Sequence, residues 1–216
     1  MSLYDLLQSR DASGERINGV AVGIVTNIED PEQMGRVKVK FPWRENGDES
    51  YWARISTLMA GKQRGTFFLP DVGDEVLVAF EMGDIHHPYV IGALWNGEDA
   101  PPGTHEEGKN SIKKMTSRNG HEFILDDGDR GGGLSLLTKA GHRISLDDAS
   151  GGEKIEIVDK TGSNKIVFDS AANAIQVESA MKLSIKSQTI EIEAGSMMKI
   201  KAGATLTIQG ALVQIN

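Results

Sequence analysis

Short apolar runs, rich in β-branched and aromatic residues, occupy residues 20–95. Helical spacing is absent here, so the runs are typical of β-strands. Turn dipeptides such as Asp30-Pro31 and Asn46-Gly47 separate them. The runs are Val20–Val25, Gly35–Phe41, Tyr51–Ile55, Thr66–Leu69, Glu75–Phe80 and Tyr89–Trp95. Their spacing predicts a five- or six-stranded antiparallel barrel of the OB type, with a small β-sandwich as the alternative.

A different regularity follows Pro101-Pro102-Gly103 and a polar connector: an apolar–x–apolar triplet recurs 11 times, its first members 7 to 11 residues apart. Positions i and i+2 of a strand point to the same face, so each pair predicts an inward stripe. The middle residue is polar in nine of the 11 triplets, as this interpretation requires. The pairs are Phe123/Leu125, Leu134/Leu136, Ile144/Leu146, Ile155/Ile157, Ile166/Phe168, Ile175/Val177, Leu183/Ile185, Ile190/Ile192, Met198/Ile200, Leu206/Ile208 and Val213/Ile215.

A sheet with one apolar face has nothing of its own to pack against, so it must close on itself or on other copies. One solution is a monomeric solenoid with three short strands per turn. The other is a prism to which three chains contribute strands. Periodicity alone leaves both open.

These two regions set the predicted domain boundaries. We expect an N-terminal segment over residues 1–18, the barrel over 19–99, a connector over 100–118 and the repeat domain over 119–216. The fold class is therefore all-β. Leu3, Leu6 and Leu7 in the first segment could pack on the barrel or on a partner.

Charge and composition exclude several classes of function and kinds of site. Residues 1–100 carry 9 Lys/Arg against 16 Asp/Glu, a net charge of 9 − 16 = −7, which disfavours a nucleic-acid partner. The chain has no cysteine, so disulfides and thiolate metal sites are excluded. No apolar run of 18 residues and no secretory signal is present in these 216 residues.

Candidate catalytic and metal-binding groups favour structural interpretations. Asp126-Asp127 and Asp147-Asp148 occupy the same place in the repeat and are followed by turn residues, so we interpret them as strand-ending turns rather than an acid–base pair. His121 and His142 lie just outside the inward pairs, which favours surface positions; an ion site formed by trimer symmetry is the alternative. Gly131–Gly133 lacks the lysine of a phosphate loop. We therefore expect no catalytic residue, no cofactor and no metal.

Three motifs in the barrel region are shared with a known family. They are Gly35–Trp43, Pro70–Phe80 and the segment Gly83-Asp84 followed by Pro88–Gly97. Their order and spacing resemble the OB domain of the VgrG and phage baseplate assembly protein V family. The resemblance implies a homotrimer in which the OB barrel precedes an intertwined trimeric β-helix needle. The trimer core would then contain Ile175, Val177, Leu183, Ile185, Ile190, Ile192, Met198, Ile200, Leu206 and Ile208.

The resemblance also implies the function and the partners. We expect the central spike of a contractile phage tail or tail-like injection system, assembled in the cytoplasm, contacting a target membrane transiently and the tail tube indirectly. A separate hub protein would bind the barrel end. A PAAR-type tip protein would bind the other end, at Val213, Gln214, Ile215 and Asn216. The alternatives are an OB-fold nucleic-acid-binding protein and a glycan-cleaving, tailspike-like β-helix.

Overall fold

The computed structural model describes residues 16–44, 47, 49–104, 108–129 and 131–215. The chain divides into two compact units, Met1–Thr104 and His105–Asn216. In the described residues of both units strands dominate, and the one helical element is a 3-10 turn at Glu81–Gly83. The all-β prediction is confirmed. Leu3, Leu6 and Leu7 lie outside the described residues.

The first unit contains a five-stranded sheet with the order β2-β1-β6-β7-β3. Single bridges from Val37 to Ala53 and from Lys40 to Glu49 join β2 to the chain before β3, so the sheet closes into a barrel. A separate small hairpin, β4–β5, is inserted between β3 and β6. The strands are β1 (Val20–Asn27), β2 (Lys38–Lys40), β3 (Arg54–Ile55), β4 (Ala60–Gly61), β5 (Arg64–Gly65), β6 (Glu75–Phe80) and β7 (Pro88–Ala93).

Alternation along the barrel strands builds its core. In β6, Val76, Val78 and Phe80 are buried, while the residues between them are only partly covered. Phe41 lies 5.5 Å from Phe80, measured between ring centroids, and fills the interior. The complete buried cluster is Val25, Val37, Val39, Phe41, Ala53, Val76, Val78, Phe80 and Val90.

Two details of the barrel differ from the expectation. The run Thr66–Leu69 is not a strand, and Phe67 and Phe68 are 76% and 71% exposed. These four residues instead follow directly after the hairpin Ala60–Gly65. Gly65 has a φ of +151°, which favours glycine. The strand pair β3–β7 is parallel, whereas the sequence predicts only antiparallel pairs.

The second unit contains a seven-stranded antiparallel meander in which each strand pairs with its neighbours in sequence. A monomeric solenoid would instead pair strands one full turn apart, so residues 112–178 do not form one. The strands are β8 (Ile112–Thr116), β9 (Glu122–Asp126), β10 (Gly133–Leu137), β11 (Arg143–Asp147), β12 (Lys154–Val158), β13 (Lys165–Asp169) and β14 (Ala174–Glu178). Residues 179–215 contain no strand.

Candidate interaction surfaces

One face of the meander carries the predicted apolar pairs as two aligned columns. Strand pairing places Phe123 opposite Leu136, and Leu136 opposite Ile144, so each pair continues its neighbour across the sheet. Lys113 replaces an apolar residue at the start of the second column. The columns are Met115, Phe123, Leu136, Ile144, Ile157, Ile166 and Val177, and then Leu125, Leu134, Leu146, Ile155, Phe168 and Ile175.

These apolar side chains are accessible to solvent in the single chain. Ile157 is 45% exposed and Ile175 is 68% exposed; of the 13, all except Phe123 are exposed. An apolar surface of this size on a soluble domain marks an interaction site rather than a solvated face. We call this surface the apolar sheet face.

The opposite face of the meander carries paired charges, and it also carries the apolar residues Ile124 and Val167, of which Val167 is only 9% exposed. Glu156 accepts a hydrogen bond from Arg143 at 3.0 Å and lies 3.4 Å from the Lys154 ammonium. Lys114 and Glu122 form an ion pair at 2.7 Å near the first edge of the sheet. The first face is therefore apolar, as the triplets predicted, and the second is mixed, because the two apolar middle residues lie on it with the polar ones.

The remaining predicted trimer-core residues lie after the meander. The eight from Leu183 to Ile208 belong to the strand-free segment, and all eight are exposed, from 48% for Met198 to 75% for Ile192. First members of successive pairs lie 9 to 11 residues apart up to Ile175 but only 7 or 8 apart thereafter. With strands of about five residues, the longer spacing leaves four to six residues for each connection and the shorter one leaves two or three.

The predicted tip-protein residues lie at the end of this segment. Val213 is 50% exposed and Ile215 is 87% exposed, with Gln214 exposed between them. Asn216 lies outside the described residues.

The aspartates singled out in the repeat act as turn residues. Asp126 accepts the backbone N–H of Gly128 at 2.8 Å, and Asp147 accepts that of Ala149 at 2.9 Å. These contacts are Asx-type turns, as the sequence indicates. Among the described residues, no group of three or more His, Asp or Glu side chains is arranged to hold a metal ion.

The barrel surface carries a row of three cationic side chains over aromatic rings. The net charge of residues 1–100 is negative and gives no sign of this row. Lys38 and Arg36 lie 5.5 and 6.0 Å from the Trp52 ring centroid, and Arg54 lies 5.5 Å from that of Tyr89. The alternation Arg36-Val37-Lys38-Val39 is the sequence signal, because the buried valines force both cations outward. Arg36 and Lys38 are already paired with carboxylates, Arg36 with Asp30 and Lys38 with Glu49. This pairing weakens the row as a site for phosphate.

Within the described residues, no helix is both long and apolar enough to cross a membrane.

Comparison with known proteins identifies the barrel. Residues 21–95 match the family described as the type VI secretion system/phage-baseplate injector OB domain. The type VI secretion system spike protein VgrG1a of Pseudomonas aeruginosa is 40% identical over 75 residues, which are 33% of this chain and 12% of that protein. The actin cross-linking toxin VgrG1 of Vibrio cholerae is 33% identical over 117 residues, 50% of this chain and 11% of that protein. The spike protein VgrG3 of Vibrio cholerae is 31% identical over 103 residues, 44% of this chain and 10% of that protein.

The match over residues 21–95 confirms the family resemblance drawn from the three motifs. Two of these three relatives are spike proteins of the type VI secretion system. The chain spans about a tenth of the length of these curated relatives, from 10% to 12%.

Proposed function

We propose that this protein is a non-enzymatic central spike that works as a homotrimer, with the OB barrel on a separate baseplate hub and the repeat domain as the needle. The observation that carries the proposal is the apolar sheet face. Its 13 apolar side chains have no second layer within the described chain, so three copies would supply the cover.

A three-sided prism suits the dimensions of the sheet. Each strand has five residues, about 17 Å of extended chain, and offers two inward positions. Three such sheets would place six inward side chains in each layer, enough to fill a narrow interior without a cavity. The injector OB domain supports three copies over a two-sheet sandwich, because the family resemblance implies a trimer.

The short-spaced segment would complete the needle. In this needle, residues 183–215 would advance along the axis and turn a corner after each apolar pair. Each strand would then find its hydrogen-bonding partners in the neighbouring chains, which satisfies the backbone groups that the single chain leaves unpaired by strands. The needle would be an intertwined β-helix with Leu183 to Ile208 in its core.

The role is mechanical. The needle would transmit axial thrust from a contracting sheath to a target envelope and contact the target membrane only transiently. It would need no cofactor and bind no nucleic acid. Val213 and Ile215 are 50% and 87% exposed in the single chain, and apolar side chains exposed in this way mark a contact with a partner. A PAAR-type tip protein would bind there, with Gln214 and Asn216 bonding its backbone.

Co-purification with a PAAR-type tip protein tests the proposed tip-protein site at Val213 and Ile215. The double variant V213S/I215S should remain trimeric, because the preceding apolar pairs persist, and should lose the tip protein. The control variant Gln214→Ala keeps both apolar side chains and should retain most of the binding. Unchanged tip binding by V213S/I215S would place the cap elsewhere, while loss of the trimer would contradict the assigned core.

A further inference from the structure

Three turns at the same end of the meander strands share the same pattern of hydrogen bonds; we call this end of the sheet the turn edge. They connect β8 to β9, β10 to β11 and β12 to β13, and they begin at Ser117, Thr138 and Asp159, each 21 residues after the previous one. In each turn the first residue donates its backbone N–H to the carbonyl of a closing residue, over 2.8, 3.0 and 3.0 Å. The closing residues are His121, His142 and Asn164.

The side chains of the first residues strengthen the same closure. Ser117 Oγ accepts the backbone N–H of His121 at 3.0 Å, and Thr138 Oγ1 accepts that of His142 at 3.1 Å. Asp159 Oδ1 accepts that of Asn164 at 3.3 Å. The three turns are therefore one structural module repeated along the edge.

The side chains of the closing residues link each turn to the next one or, for the last turn, to the chain just after β14. His121 Nδ1 accepts the backbone N–H of Lys139 at 3.4 Å, and His142 Nδ1 accepts that of Lys160 at 3.2 Å. Asn164 Oδ1 accepts the backbone N–H of Ala180 at 3.2 Å, just beyond β14. We call these three contacts the turn-edge ladder.

From the turn-edge ladder we infer a pH-sensitive device: His121 and His142 hold successive hairpins together only while their imidazoles are neutral, whereas Asn164 holds the start of the strand-free segment at any pH. A neutral imidazole that accepts at Nδ1 carries its proton on Nε2. Protonation removes the Nδ1 lone pair and turns an acceptor into a second donor, facing the N–H of Lys139 or Lys160. An asparagine oxygen cannot make this change.

The charged groups around the turn-edge ladder do not compensate for the loss of the two hydrogen bonds that histidine Nδ1 accepts. Arg118, Lys139 and Lys160 are the charged side chains within the three turns besides Asp159. The Asp159 carboxylate already bonds Thr161 and Asn164, and Glu122 is paired with Lys114 at 2.7 Å. Arg143, beside His142, is paired with Glu156 at 3.0 Å. The Asp159 and Glu122 carboxylates thus already have bonding partners other than the two imidazoles.

Amide hydrogen exchange of the full chain between pH 5 and pH 8, corrected for intrinsic exchange rates, tests the inference. Histidine changes charge in this range, and one hydrogen bond corresponds to roughly a two- to tenfold change in protection. Acidification should lower the protection of the Lys139 and Lys160 amides by that factor and leave Ala180 unchanged.

The double variant H121N/H142N copies the third contact and should make all three amides insensitive to pH. A flat wild-type profile, or an equal loss of protection in the double variant, would overturn the inference. If that variant does not fold, ¹⁵N chemical shifts of the wild-type histidines at pH 8 decide the matter. They should show Nε2 protonated and Nδ1 bare in His121 and His142, and the reverse tautomer would overturn it.

Discussion

Asp30 organises the connection between the first two barrel strands. Its side chain is 3% exposed and accepts hydrogen bonds from Arg36 Nη2 at 2.7 Å and Nε at 3.0 Å. It also accepts the backbone N–H groups of Glu32, Met34 and Arg36. The Arg36 guanidinium is the main reason that the pKa of Asp30 lies far below its usual range.

Replacing Asp30 with asparagine should destabilise the barrel. The substitution removes the charge that faces Arg36 and puts an amide donor where several N–H groups converge, so partners lose their acceptor. Thermal unfolding followed by tryptophan fluorescence should show a clearly lower midpoint. The control is Glu32→Gln, since Glu32 is 68% exposed and its surface pair with Arg36 contributes little. Equal midpoints for the two variants would contradict this role.

Asp159 gives the meander a specific response to acid. Hydrogen bonds from Asn164 and then Thr161 lower its pKa to about 2, below the ordinary value of about 3.9. A lowered pKa in the folded state stabilises the fold above the ordinary value, and that stability is lost as pH falls towards about 2.

The variant Asp159→Asn should therefore unfold at a lower temperature than the wild type at pH 6. The difference should shrink as the pH falls from about 4 to about 2, because the wild-type carboxyl becomes neutral as well. Circular dichroism melts across this range measure it. A difference that stays constant down to pH 2 would contradict the assignment.

The barrel strands show what local pattern can and cannot predict. Glu75–Phe80 was predicted with the correct bounds, because its alternation of buried and partly covered residues is uninterrupted. Thr66–Leu69 failed because a short apolar run does not show by itself that its side chains are buried, and Phe67 and Phe68 both remain exposed. The parallel β3–β7 pair was not predictable, since pairing across more than 30 residues depends on closure of the barrel.

The repeat region was predicted in composition but not in pairing. The apolar pairs and their polar middle residues specify two faces, and the strands have those faces. Periodicity did not reveal that residues 112–178 pair within one chain as a meander. The turn-edge ladder has a sequence signal in the 21-residue offset between Ser117, Thr138 and Asp159, which the search for apolar pairs overlooked.

Two neighbouring positions in β14 test the orientation of the sheet. Ile175→Asp should prevent assembly, because it would place a charge from each chain on the apolar sheet face. Gln176→Asp adds the same charge to the opposite face and should assemble normally. Size-exclusion chromatography with light scattering compares them. Equal assembly of both variants would show that the apolar sheet face is not the contact between copies.

The two units of the chain contribute differently to the proposed machine. The barrel unit is identified by its family match and carries most of the negative charge. The repeat unit exposes apolar residues along its sheet and its strand-free segment, so its proposed shape depends on association. Stability and oligomeric state should consequently be coupled in this protein, as in obligate oligomers.

Sedimentation equilibrium of the purified chain, from micromolar to nanomolar concentration, is the most direct test of the proposed trimeric spike. A spike whose core is shared among copies should have the mass of three chains at every concentration, because the separated chain exposes the whole apolar sheet face. A compact monomer, or a stable dimer, would contradict it.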